Sequence, residues 1–310
     1  MRAMLFTRYL VILSALCGLD AGALKAKSQN SDGVISGIER TQSLHFVTSI
    51  PLANPLYETF HPQGVKVVGK DVYLSTVEGI STGFGHVLHY TLDSSDTPTT
   101  ADVVGRVTFD PGPDRRLIHA GGIDQDGESL LVPLANYTRA GPAKLMRLDL
   151  KNFGVVSEVV NVPDHIGAVV RFTGSTKMFN WDARDIYTFD DGASVATKVL
   201  SGSGWHYQDC KHVDDENALC SSLNGLFDID GEVQLIHLSD RSGKISIAHS
   251  IPVARVLSDG TPGGFRPLTY NAMDFAPIYS GVDGRLLGVR FYFVPHDGQD
   301  THLMIYDATF

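Results

Sequence analysis

Phe46-Val-Thr-Ser-Ile-Pro-Leu52, near the start of the chain, and Ile247-Ala-His-Ser-Ile-Pro-Val253, near its end, share Ser-Ile-Pro at matching positions. Each is a short alternating segment of strand type. The second copy is the last strand of a recurring unit. The first stands alone, and the final unit of the chain runs out at Phe310 one strand short. The two facts explain each other if the early segment supplies the missing strand. Such a swap closes a ring and removes an open sheet edge.

The unit is found by working outward. It begins with His or Asn followed by small and apolar residues: His61-Pro-Gln-Gly-Val, His119-Ala-Gly-Gly-Ile, His165-Ile-Gly-Ala-Val, His206-Tyr-Gln-Asp-Cys and Asn271-Ala-Met-Asp-Phe. The intervals scatter around the roughly 40–50 residues of a four-stranded propeller blade. A second apolar run follows each start, as in Asp71-Val-Tyr-Leu-Ser and Ser129-Leu-Leu-Val. A third alternating run comes next; Tyr90-Thr-Leu-Asp93 and Tyr187-Thr-Phe-Asp190 are near copies. Asp102–Phe109, Val155–Val162, Val195–Leu200 and Ile245–Val253 supply a fourth in four of the units. No stretch after the expected signal shows sustained helical periodicity. The expected fold is all-β: a five-bladed β-propeller over Ser43–Phe310, closed by an N-terminal strand in the last blade. The long interval before Asn271 leaves six blades as the alternative.

A propeller brings the start of every inner strand to one channel mouth. Here that position delivers His61, His119, His165, His206 and Asn271. Neutral imidazole is a common ligand for transition metals, so the four His are a candidate site for a divalent metal ion. A ring of polar residues that caps inner strands and orders channel water has the same pattern. Three residues on stand Gly64, Gly122, Ala168, Asp209 and Asp274. Small residues suit a crowded axis. Asp209 and Asp274 are candidate catalytic carboxylates that project into space left by the glycines. Carboxylates satisfied by neighbouring backbone amides fit the sequence equally well. Gln63, Arg171, Trp205 and Asn271 are candidate ligand-binding residues, with Trp205 as an aromatic wall. Glu78, Trp181-Asp182 and His296-Asp297-Gly298 fall in loops at the same face.

The chain has 310 residues and a formal net charge of −10, which excludes a nucleic-acid surface of the usual basic kind. Met1–Ala23 has the form of a secretory signal: Arg2 and Arg8, the apolar run Tyr9–Leu19, then Ala21-Gly22-Ala23. The run is too short to span a bilayer. Residues 1–23 are therefore expected to be an export signal, 24–42 a polar leader and 43–310 the propeller. The protein is expected to be secreted, extracellular and monomeric. Of three Cys, Cys17 leaves with the signal. Cys210 and Cys220 flank the polar turn Asp214-Asp215-Glu216-Asn217 at equal distances, which sets them opposite each other on a hairpin. Export makes them a candidate disulfide. It also makes Asn136-Tyr137-Thr138 a candidate glycosylation sequon, with Asn136 as acceptor. No P-loop, Rossmann fingerprint, nucleophile elbow or H-E-x-x-H is present.

His61-Pro-Gln-Gly-Val, Trp205-His-Tyr-Gln-Asp-Cys-Lys-His212 and Phe291–Gly298 resemble an uncharacterised family of secreted fungal and bacterial proteins, a domain of unknown function. The resemblance spans nearly all of the mature chain. It implies a β-propeller and brings no established catalytic residues.

Three functions stay open at this point. The first is a metal-dependent, hydrolase-like enzyme acting on a small molecule or glycan. The second is a non-catalytic propeller that binds such a ligand at the same mouth. The third is a protein-interaction scaffold with a merely structural channel.

Overall fold

The computed structural model describes residues 31–310 except 57–59, 80–82, 96, 111–115, 182–183, 202–204, 225–229, 240–243, 258, 260 and 299. The expected export signal lies outside the described residues, as does Asp182.

Five blades stand around a central channel. Their inner strands are Phe60–Val68, Leu117–Ala120 continued by Asp124–Asp126, Ile166–Phe172, His206–His212 and Ala272–Tyr279. We number the blades I to V in that order. In blade I the ladder runs outward through Asp71–Glu78 and Gly85–Leu92 to Ala101–Thr108, and the others repeat it. Blade V is completed by His45–Pro51, which pairs antiparallel with His302–Thr309, Ile50 opposite Leu303. The swapped strand is therefore as the Ser-Ile-Pro repeat implies. The six-blade alternative falls because, among the described residues, the long interval before Asn271 adds to the strands of blade IV a small hairpin, Arg255–Val256 with Arg266–Pro267, and a 3-10 turn, Leu268–Tyr270.

Apolar side chains fill the spaces between blades. Ile50, Phe60, Leu74, Tyr90, Val294 and Ile305 pack blade V against blade I. Ala168, Phe179, Tyr207, Ala218 and Ile236 do the same between blades III and IV. Cys210 and Cys220 are direct partners across the inner hairpin of blade IV and form a disulfide.

One expectation needs correction. Residues 31–38, inside the stretch expected to be a polar leader, are helical. Val34 and Ile38 are one turn apart and buried in the cluster that holds Leu235, Phe291 and Tyr306. A single turn of apolar spacing is too short to register as periodicity. Gly37 permits the close approach, since a Cβ there would meet the Phe310 ring at 2.0 Å.

Candidate functional site

The channel is crowded at its axis. A Cβ on Gly64 would lie 2.5 Å from the Ile123 amide nitrogen, and one on Gly121 2.2 Å from the Gly167 carbonyl. Gly122 donates its N–H to the Gly167 carbonyl and accepts from Val169, so blades II and III meet backbone to backbone. Above this constriction the inner strands bulge. The register slips between Pro62 and Gly64, between Ile166 and Ala168, and between Tyr207 and Asp209. The skipped residues are Gln63, Gly167 and Gln208, and all three line one pocket at the mouth. A bulge re-aims its residue out of the ladder.

That pocket has a volume of about 190 Å³. Its floor is a hydrogen-bonded chain that links four blades, V, I, II and III. His61 Nδ1 lies 2.6 Å from Asp297 Oδ1. Gln63 Nε2 donates to His61 Nε2 at 2.8 Å and to the Pro62 carbonyl at 2.9 Å. Gln63 Oε1 accepts from His119 Nε2 at 2.9 Å. His119 Nδ1 and His165 Nε2 are 3.2 Å apart, and His165 Nδ1 faces the Thr138 carbonyl at 3.3 Å. Asp297 is held further by Arg266 at 2.6 Å and by the Asn271 side-chain amide at 3.1 Å. Burial pushes the imidazoles of His119 and His165 below their ordinary value, His119 well below, and the neighbouring His165 and His61 add to the effect there. On Asp297, burial acts upward but is outweighed by His61 and Arg266, which hold its carboxyl low.

The wall is aromatic. Tyr137 meets His119 edge-on with ring centroids 5.0 Å apart, and Trp181 lies 5.3 Å from His165 and 6.2 Å from Tyr137. Trp181 is 45% exposed. Tyr270 completes the mouth under the Arg266 guanidinium. Among the described residues, the hydroxyls of Tyr137 and Tyr270 and the side-chain amide of Gln208 have no hydrogen-bond partner.

Three of the four expected His are therefore brought together with Gln63 and Asn271. His206, also a candidate metal ligand, does not line the pocket; its neighbours Tyr207 and Gln208 do. Among the described residues, no group of three or more His, Cys, Asp or Glu is placed to hold a metal ion. Trp205 packs against the core between blades III and IV, and Trp181 occupies the wall in its place. Asn136 lies beside the pocket, as the last residue of the strand Ser129–Asn136 that leads into the loop carrying Tyr137 and Thr138.

The candidate carboxylates sit lower. Asp209 and Asp274 are fully buried, and neither lines the mouth. Asp209 Oδ2 accepts from the amides of Val65 at 2.9 Å and Met273 at 3.2 Å, so blade IV grips blades I and V. Its other oxygen pairs with the buried Lys211 ammonium, which also donates to the Ile123 carbonyl at 2.7 Å. As the glycine pattern implies, Asp209 uses space beside Gly122, whose Cβ would come within 2.7 Å of Oδ1. Burial pushes the Asp209 carboxyl up, opposed by Lys211 and the two amides. Asp274 accepts from the Val67 amide at 2.7 Å and from Lys66 at 3.3 Å. Burial alone would lower Lys66, but Asp274 and Asp124 outweigh it and hold the ammonium above its ordinary value. Arg171, expected at the ligand, is at the far end of the channel. It is clamped by Asp126 at 3.0 Å and Asp191 at 2.7 Å, in a cavity of about 570 Å³ with Lys66 and His212.

Tyr137, Tyr270 and Gln208 were not singled out from sequence. Gln208 had a signal, since it occupies the repeat position of Gln63. Tyr137 was visible only as the middle of the sequon.

The chain belongs to a family of unknown function (DUF6454), whose profile matches residues 23–310. No curated protein matches it. Among solved structures it is similar to the tail fiber of Staphylococcus aureus phage P68, with 10% identity, TM-score 0.50, and coverage of 86% of this chain and 53% of that one. This chain thus spans about half of the fiber. A hypothetical protein from Leishmania major gives the same identity and TM-score over 86% of this chain and 91% of that one. Myxococcus xanthus glutaminyl cyclase has 12% identity and a TM-score of 0.46, covering 86% and 97%. At these identities the likeness concerns the fold alone.

Proposed function

We propose that the protein is a secreted ligand-binding propeller that holds one small, neutral, hydroxyl-bearing molecule of the sugar type at its channel mouth. The observation that carries this reading is a pocket of about 190 Å³ lined by unpartnered neutral groups beside an exposed indole. The hydroxyls of Tyr137 and Tyr270 and the amide of Gln208 offer both donors and acceptors. Trp181 offers a flat apolar face of the kind a sugar's C–H face covers. Formal charge at the mouth is already answered: Asp297 has His61, Arg266 and Asn271. A charged ligand would lose its hydration without gaining a counter-charge. The volume is below the roughly 300–1,000 Å³ of drug-sized sites, which suits a single ring.

The metal-dependent hydrolase is the weaker reading, because both ring nitrogens of His61 and of His119 are already hydrogen-bonded to side chains. Secretion is supported by the buried disulfide and by the signal-like first residues. Asn136 then sits where a glycan would border the mouth.

Saturation-transfer NMR against a panel of neutral monosaccharides and short glycans tests the proposal. At least one neutral sugar should bind, and Trp181→Ala should weaken it by about tenfold or more, as loss of a buried aromatic contact does. Binding confined to charged ligands, or unchanged by Trp181→Ala, contradicts it. Stoichiometric metal that is lost in His119→Ala would restore the metal reading.

A further inference from the structure

The hydrogen-bonded floor is one proton short. Asp297 accepts, so His61 carries its proton on Nδ1 and accepts at Nε2. The orientation of Gln63 follows: its NH2 group serves His61 and the Pro62 carbonyl, and turning it over would set oxygen against oxygen. Its Oε1 therefore needs the Nε2–H of His119. The contact between His119 Nδ1 and His165 Nε2 needs one proton, and the Thr138 carbonyl needs another from His165 Nδ1. Four ring N–H groups are required, and three neutral imidazoles supply three. With all three neutral, one contact sets lone pair against lone pair.

We infer that the mouth takes up a single proton, shared between His119 and His165, and that this proton fastens the loop carrying Tyr137 and Thr138 to the floor. The loop supplies one wall of the pocket, so acidification tightens the mouth. The groups facing the pair set when this happens. His119 faces His61, Gln63 and Tyr137; His165 faces the Asn136 and Thr138 carbonyls, Tyr137 and Trp181, and the His165 backbone N–H donates to Asp164 Oδ1 at 2.8 Å. Asp164 is also bonded to Asn180 and Tyr187. Beyond His61 stand Asp297 and Arg266, a pair that cancels in charge. Burial opposes the added charge on both rings, so uptake falls below the ordinary His value. The backbone carbonyls of Asn136 and Thr138, and then Asp164, moderate that opposition at His165.

The test needs no ligand and stands apart from the sugar reading. The chain has two Trp, so Trp205→Phe leaves Trp181 as reporter, 5.3 Å from the His165 ring. An imidazolium quenches indole emission. On acidification from about pH 8 to pH 4, emission should drop in one single-proton step below about pH 6.5. His165→Gln in that background should abolish the step. Gln63→Glu, which sets a carboxylate beside His119, should raise its midpoint by about one unit. If His165→Gln does not fold, the Gln63→Glu midpoint and the imidazole nitrogen shifts of the wild-type protein decide. No step, a step that survives His165→Gln, or an unmoved midpoint in Gln63→Glu overturns the inference.

Discussion

The two levels of the channel are built from the same five inner strands and do opposite things with polar residues. In the middle, Asp209 and Asp274 spend their oxygens on Val65, Met273 and Val67 amides and on Lys211 and Lys66. At the mouth, the imidazoles bond to one another through Gln63, and hydroxyls and an amide are left over. The charged level ties blade to blade. The neutral level faces a space. Rigidity below is what allows unspent groups above to hold fixed positions without partners of their own.

The comparison breaks most sharply at Asp209. Asp209→Ala leaves the fully buried Lys211 without its counter-charge and two amides without an acceptor. Loss of about 3–5 kcal/mol is expected in a denaturant titration. A change below about 1 kcal/mol would move Asp209 out of the structural level. Next in size is the mouth itself. Tyr137→Phe with Tyr270→Phe removes two hydroxyls that bond to no described residue, so stability should shift by less than about 0.5 kcal/mol while ligand affinity falls.

A smaller effect sharpens the contrast through pH. His119 and His165 have lowered values in the folded state, so the unfolded chain binds more protons below its ordinary value of about 6.5. Their contribution is fully present above that value and declines as pH falls toward the folded values. Asp209 acts in the opposite sense, because its raised carboxyl favours the folded state on acidification. The His share is therefore read as a difference. Between about pH 7.5 and pH 5, wild type should lose more stability than His119→Gln. Equal losses would show that the buried rings are not neutral at the higher pH. The smallest effect concerns the rim: in a eukaryotic secretory host, Asn136→Gln should remove one glycan from the electrophoretic mobility and leave the unfolding midpoint in place.

Much of the scaffold was legible because it is written in positions that repeat. The five inner starts, the closing strand and the Cys210–Cys220 pairing follow from spacing. The site was legible as far as His61, Gln63, His119, His165 and Asn271, which share one level of the ring. What stayed hidden depends on the third dimension. Bulges that turn Gln63 and Gln208 into the mouth leave no mark on composition. Two Trp lie at loop-and-strand junctions, and only the packed blades show that Trp205 faces a core and Trp181 a pocket. A carboxylate on an inner strand looks the same in sequence whether it meets a ligand or a neighbouring amide. Asp209 meets amides because Gly122 lets it reach across.

The central claim is that unspent neutral groups at the mouth, and not the carboxylates beneath, receive the ligand. The direct measurement is calorimetric titration of the neutral sugar that binds wild type best into the Tyr137→Phe, Tyr270→Phe double variant. The account predicts at least tenfold weaker binding, about 1.4 kcal/mol or more, with an unfolding midpoint like that of wild type. Undiminished affinity in a folded double variant would contradict it.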